Sequence, residues 1–228
     1  MTLPKIETPI YSLKLPSDPK KSVTYRPFLV KEEKILLTAM EGAKELKGEE
    51  FQRVVRDVIL RIIINCTEGK IDGDKLPAFD VDYLFLNIRA KSRGEIIEPS
   101  FTCNQEGKDG KLCGNIDKYP IRIDEIKINF PEKDHSKIMI KDDIGLQLKY
   151  LSTEEVKVHD GEDDPIEKMF KIIVDSIDYV FDAENVYKGK ETSKSEMVTF
   201  VESLTEDAFD KIKEFFNHRP TLRHTVDY

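Results

Sequence analysis

Residues 25–37 read Tyr-Arg-Pro-Phe-Leu-Val-Lys-Glu-Glu-Lys-Ile-Leu-Leu, and the surrounding fold is organised by this stretch. Pro27 fixes its own φ and pushes Arg26 toward extended geometry, so a strand containing Val23 and Tyr25 ends here. Beyond the proline, Leu36, Ala39, Met40 and Ala43 fall at i, i+3, i+4 and i+7, which is the spacing of one buried helix face. Upstream, residues 9–15 and 22–26 read as two short strands around the turn Pro16-Ser-Asp-Pro-Lys-Lys. The helix downstream is expected over 30–46 and stops at Lys47-Gly48, with glycine in its usual place past a helix end.

The next segment carries the clearest helical pattern in the chain. Phe51, Val54, Val55, Val58, Ile59, Ile62 and Ile63 form a continuous apolar stripe, with Glu50, Arg53, Arg56, Asp57 and Arg61 on the far side. After a polar loop through Gly69 and Gly73, a third helix buries Val81, Leu84, Phe85 and Ile88, with Pro77 and Asp80 at its start. From Glu95 to Leu151 the texture turns to short β-type runs at 96–97, 101–103, 120–123, 126–130, 138–140 and 146–150. Helices return at 163–180, where Ile166, Met169, Phe170, Ile173, Val174 and Ile177 make a stripe, and again at 194–204 and 206–217. Ser193…Glu196 and Ser152…Glu155 have capping-box spacing. Residues 221–228 read most simply as a frayed terminus, or else as a last short strand whose edge is free to pair outside the chain.

A hairpin and three helices, a small mainly antiparallel sheet, then further helices give an α+β fold rather than a wound parallel sheet. The expected division is a core over 1–151 and a C-terminal helical region over 152–228 packed on it.

Several ordered motifs carry a family resemblance. These are Leu3-Pro-Lys-Ile6, Arg26-Pro-Phe-Leu-Val-Lys-Glu-Glu-Lys34, Asn65-Cys-Thr67, Leu76-Pro-Ala-Phe-Asp80, Tyr83-Leu-Phe-Leu-Asn-Ile-Arg-Ala-Lys-Ser92 and Gly94-Glu95. Asp142-Asp-Ile-Gly145 and Phe215-Phe216 follow in the same order. The chain resembles the baseplate hub assembly proteins of T4-like tailed phages, most closely over 1–150 and least over 152–192. The resemblance implies a non-enzymatic factor that builds the central hub of a contractile tail through protein–protein contacts. Its implied partners are other hub proteins, the tape-measure protein or the central spike. It implies action in the host cytoplasm during tail assembly, with retention in the virion baseplate as a further expectation.

Composition agrees with this class. The 228 residues carry a net charge of −8, and the compact basic spots are limited to Lys20-Lys21 and Lys188–Lys190. A nucleic-acid partner, which needs a basic face, is therefore disfavoured. No apolar run approaches the roughly 20 residues that span a bilayer, and the N-terminus lacks a signal-peptide pattern. Three cysteines suit a reducing compartment better than a disulfide framework. These readings place a soluble chain inside the cell.

The candidate chemistry is sparse, and no cofactor is expected. Cys103 and Cys113 flank a turn-rich loop and are the candidate ligands of a structural zinc, which makes a small metal-binding module the alternative reading. Zinc wants four ligands in close-spaced pairs, whereas nine residues separate these two and the histidines at 135, 159, 218 and 224 are scattered. Cys66 reads as a core residue, and no nucleophile–base signature is present. The acidic pairs Asp72/Asp74, Asp142/Asp143 and Asp163/Asp164 read as turns or helix starts in a chain with 44 acidic residues. The candidate partner contacts are Tyr25, Arg26, Phe28 and Lys31 around the proline break, and Arg89, Lys91 and Arg93 at the end of the third helix.

Overall fold

Pro27 separates a hairpin from a helix as its chemistry requires. The computed structural model describes residues 6–106 and 110–226. Strands β1 (Tyr11–Lys14) and β2 (Ser22–Tyr25) precede helices α1 (Val30–Gly42), α2 (Gly48–Cys66) and α3 (Ala78–Arg93). Short strands β3 (Ile96–Ile97), β4 (Ser100–Thr102), β5 (Ile116–Lys118), β6 (Ile121–Arg122) and β7 (Lys127–Asn129) follow. Then come β8 (Lys137–Met139), β9 (Gly145–Leu148), α4 (Thr153–Lys157), α5 (Pro165–Ser176), β10 (Ile177–Phe181) and β11 (Val186–Lys188). Helices α6 (Lys194–Glu202) and α7 (Glu206–Asn217) and strand β12 (Thr221–Arg223) complete the order. The fold is mixed α+β, with small antiparallel ladders. Among the described residues, no helix is long and apolar enough to cross a membrane.

The chain forms two compact units. Unit 1 comprises residues 1–72, 80–128 and 222–228; unit 2 comprises 73–79 and 129–221.

In unit 1, β1 and β2 pair antiparallel in the register Tyr11↔Tyr25. The α2 stripe supplies the core: Leu60, Ile62, Ile63 and Cys66 are buried, as are Leu15, Val23, Leu84 and Ile88. The ladders β3–β6 and β4–β5 are antiparallel, in the registers Ile96↔Arg122 and Phe101↔Asp117. The expectation of a free C-terminal end is corrected. Thr221–Arg223 lies in a two-stranded sheet with β7, so its edge has a partner within the chain. Asp227 and Tyr228 of the expected strand, and Leu3–Lys5 of the first motif, lie outside the described residues.

The expected burial of the α1 face is also corrected. Of Leu36, Ala39, Met40 and Ala43, only Ala43 is buried; Met40 is 42% exposed and the buried side chain within the helix is Glu32.

Unit 2 is built on a four-stranded antiparallel sheet, in the order β11-β10-β9-β8. Its core gathers Ile138, Leu146, Leu148, Ile173, Ile177 and Phe215, with Phe170 and Phe209 packed against it. The helix expected over 163–180 ends at Ser176, and Ile177–Phe181 instead becomes an inner strand of this sheet. Tertiary pairing decides the change, because the Ser176 carbonyl accepts from the Lys149 N–H at 2.8 Å where β9 passes. Caps set the remaining boundaries. Asp164 accepts from the Ile166 and Glu167 amides ahead of Pro165, and the Ser152 and Ser193 boxes are both formed.

Candidate functional site

The proline break is held from below by a buried ion pair. Arg26 ends β2 and donates its backbone N–H to the Cys66 carbonyl at 2.9 Å. Its guanidinium donates to Glu32 Oε1 at 3.0 Å and Oε2 at 3.1 Å, and also to the carbonyls of Pro27 (2.9 Å) and Asn65 (3.1 Å). Arg26 is 7% exposed and Glu32 0%. The Glu32 carboxylate also accepts the Leu29 N–H at 2.8 Å, so it serves the first turn of α1 as well. One pair thereby ties the hairpin, the α1 start and the α2 end together.

The protonation states follow from these contacts. Burial pushes the Glu32 pKa up, but the Arg26 and Leu29 hydrogen bonds and the Arg26 charge outweigh it, so the carboxyl lies below its ordinary range. The Cys66 thiol beside it is pushed up to about 11, mainly by burial, and stays protonated. Such a thiol is not a nucleophile at neutral pH, and its core placement agrees with the reading of the sequence.

The candidate contacts divide by exposure. Tyr25 is 4% exposed and packs on Tyr11, with ring centroids 5.8 Å apart. Arg26 is committed to Glu32 as described. Phe28 is half-buried against Phe85, and its N–H donates to Ser92 Oγ at 2.7 Å. Lys31, Lys91 and Arg93 are exposed. Lys91 pairs with Glu95 and lies 5.4 Å from the Tyr11 ring centre, and Arg93 pairs with Glu33 of α1. Arg89 is half-buried, and one of its guanidinium nitrogens, Nη1, is buried without a hydrogen-bond partner. Burial first, and the Arg93 charge second, lower its pKa. Unit 1 therefore presents cations at the α3 end and along α1, while the aromatic and arginine groups of the break itself face inward.

Sequence reasoning missed the surface between α1 and α2. A groove of about 500 Å³ opens there, floored by Ile35, Ala39, Val54 and Val58. Lys31, Lys34 and Arg61 line it together with Thr38 and Asp57. Leu37 is 60% exposed on the same helix. The available signal was composition: Ile35, Leu36 and Leu37 in succession carry more apolar surface than one narrow helix stripe can bury.

The cysteine pair sits on hairpin β4–β5. Cys103 N–H donates to the Asn115 carbonyl and Cys113 N–H to the Gln105 carbonyl, both at 2.8 Å. The two cysteines thus lie just beyond the β4–β5 ladder, on opposite strands of the hairpin. Both are free, Cys103 half-buried and Cys113 exposed; residues 107–109 of the loop between them lie outside the described residues. Two thiolates are half of a tetrahedral set, and among the described residues no group of three or more His, Cys, Asp or Glu could hold a metal.

A histidine without ligand spacing is by default an ordinary surface group, and of the four in this chain one departs from that. His159 is buried, with Nε2 3.0 Å from Asp175 Oδ2. Lys194 also reaches Asp175, at 3.1 Å from Oδ1. In unit 1, Asp80 is a second buried carboxylate the sequence did not announce. It accepts from the Ser17 N–H at 3.0 Å and from the Ser17 hydroxyl, pinning the hairpin turn to α3.

A family model described as T4 bacteriophage base plate protein matches residues 8–228. The chain belongs to the T4 bacteriophage base plate protein family. The match spans both units of this baseplate protein, including the stretch between 152 and 192 where the motif resemblance is weakest. No curated protein and no solved structure matches the chain. For a member of this family, the buried Arg26–Glu32 pair reads as a device that sets the angle between hairpin and helices. The functional surface is then what that frame displays.

Proposed function

We propose that this baseplate protein is a non-enzymatic factor that assembles or stabilises the central hub of a contractile tail through protein–protein contacts. The family match over 8–228 carries the reading, and the ordered motifs of the N-terminal half support the hub in particular. The non-enzymatic part is supported by how the buried polar groups are spent. Arg26 and Glu32 hold each other, Asp80 holds Ser17, and His159 holds Asp175, each a structural link between elements. Partners are other hub proteins, with the tape-measure protein or the central spike as candidates. The protein binds an assembly intermediate in preference to its separated parts, and so shifts that equilibrium by linkage. It acts in the host cytoplasm and is carried into the virion baseplate.

The test is electron microscopy of lysates from the parent phage carrying an early stop codon in this gene. Accumulated wedges or rings without a hub, and no tails, are expected. Normal infectious tails would overturn the reading.

A further inference from the structure

We propose that the groove between α1 and α2 is a docking site for an acidic amphipathic helix of another baseplate protein. The inference rests on the reading of this chain as an assembly factor, and names the chemistry of one partner.

Helix α1 is the observation that starts the argument. It has thirteen residues, yet its buried side chain is the charged Glu32. Its apolar residues are left half-buried or exposed, with Val30 at 86%, Leu37 at 60% and Met40 at 42%. The α1 residues that face the groove, Ile35 and Ala39, are half-buried, so the helix is held by a buried carboxylate while its groove side is left partly uncovered. The lining runs from Lys31 to Ala39 on one wall, about 12 Å at 1.5 Å per residue. That length takes two turns of a third helix, which anchors at i, i+3 or i+4, and i+7.

The charge pattern selects the sign of the occupant. Lys31 and Lys34 stand on one wall and Arg61 on the other, against the single carboxylate of Asp57. Some exposed cations of this protein are paired, such as Lys44 with Glu41, Lys171 with Glu162 and Lys211 with Asp207, and others are not. Among the described residues, Lys34 and Arg61 have no carboxylate within ion-pair distance, although the chain carries 44 acidic residues to 36 basic ones. An apolar floor with a cationic rim, on an otherwise acidic protein, complements a helix whose apolar stripe is flanked by Asp or Glu. Whole-molecule repulsion between two chains that each carry a net charge of −8 works against a second copy as the occupant.

The experiment uses the full-length protein and synthetic 20-residue peptides tiling the other baseplate proteins of the parent phage and this chain itself, with affinities by fluorescence anisotropy. The expected hits are acidic peptides with a helical apolar stripe, from another protein. Their affinity falls at least about tenfold in Val58→Glu and in the paired reversal Lys34→Glu/Arg61→Glu, and falls with added salt. Val186→Glu, at a 62% exposed position of unit 2, leaves it unchanged. Circular dichroism checks each fold. Should Val58→Glu misfold, the exposed charge reversal alone decides. Absence of hits, hits that are basic or neutral, hits from this chain, or binding indifferent to the groove variants would each overturn the proposal. The hub reading fails separately: a stop-codon phage with normal tails sinks the hub while leaving peptide binding intact. A charge-reversed protein that rescues the stop-codon phage fully sinks the groove and leaves the hub.

Discussion

Replacing Glu32 by glutamine should cost about 3 kcal/mol, a large effect for a change that preserves side-chain volume. The carboxylate is fully buried, and three donors converge on it: two guanidinium nitrogens of Arg26 and the Leu29 amide. Breaking a buried pair by neutralising one partner typically costs about 3–5 kcal/mol, because the other charge is left uncompensated. The low end applies here. Arg26 keeps hydrogen bonds to the Pro27 and Asn65 carbonyls, and glutamine keeps one acceptor for the Leu29 amide. With a urea slope of about 2 kcal/mol per molar, the midpoint falls by roughly 1.5 M. Hydrogen-exchange mass spectrometry should place the added opening in residues 25–37 and 60–68. The sign with pH is fixed by linkage. The Glu32 pKa is lower in the folded state than in the unfolded chain, so its contribution is fully present above the unfolded value near ~4.3. It is lost as pH falls through the lower, folded value, and the gap between wild type and Glu32→Gln narrows over that acid range. The double replacement Arg26→Met/Glu32→Leu removes both charges and should recover most of the loss. A midpoint shift under about 0.5 M for Glu32→Gln, or a gap that widens on acidification, would refute the reasoning.

Asp80 should titrate in the opposite direction, since burial raises its pKa more than the Ser17 bonds lower it. Its stabilising share is complete below the unfolded pKa and lost as pH rises through the raised folded one, so Asp80→Asn should gain on wild type as pH rises above the unfolded value near ~3.9 in urea melts. Gly145→Ala should destabilise unit 2 by about 2–3 kcal/mol, measured as a fall in thermal midpoint. A Cβ there would lie 2.4 Å from the Phe181 ring and 2.7 Å from the Ile138 carbonyl, and the carbonyl belongs to the paired strand. Phe215→Ala should cost about 3–5 kcal/mol by opening a cavity in the unit 2 core, read as faster proteolysis of residues 129–221.

The parts legible in the sequence are those fixed by local chemistry. The α2 stripe, the Pro27 break, the Ser152 and Ser193 boxes and the Asp164-Pro165 start all stand where the residues put them. What was hidden depends on distant partners. Ile177 continues the helical spacing of Ile166, Phe170, Ile173 and Val174, and no glycine or proline marks a stop. Only the pairing of β10 with β9 and β11 turns the chain to a strand. Glu32 reads as an ordinary acid in a first helical turn, favourable beside the dipole, and nothing local announces that it is buried. For the same reason Tyr25 and Arg26 look like partner contacts in the sequence, whereas the groove residues Ala39, Val54 and Val58 look like core. An apolar stripe carries no mark of whether its own chain or another will cover it.

Unit 1 is finished by residues that come after the whole of unit 2 in the chain. The ribosome therefore delivers β7 and its partner β12 about 90 residues apart, with the sheet and helices of unit 2 made in the interval. At roughly 5–20 residues per second that interval lasts about 5–20 s. Throughout it the nascent protein holds β7 with an unpaired edge. Closure of that ladder thus waits on the synthesis of Thr221–Arg223, and a product that stops short of Thr221 lacks the strand that pairs with β7.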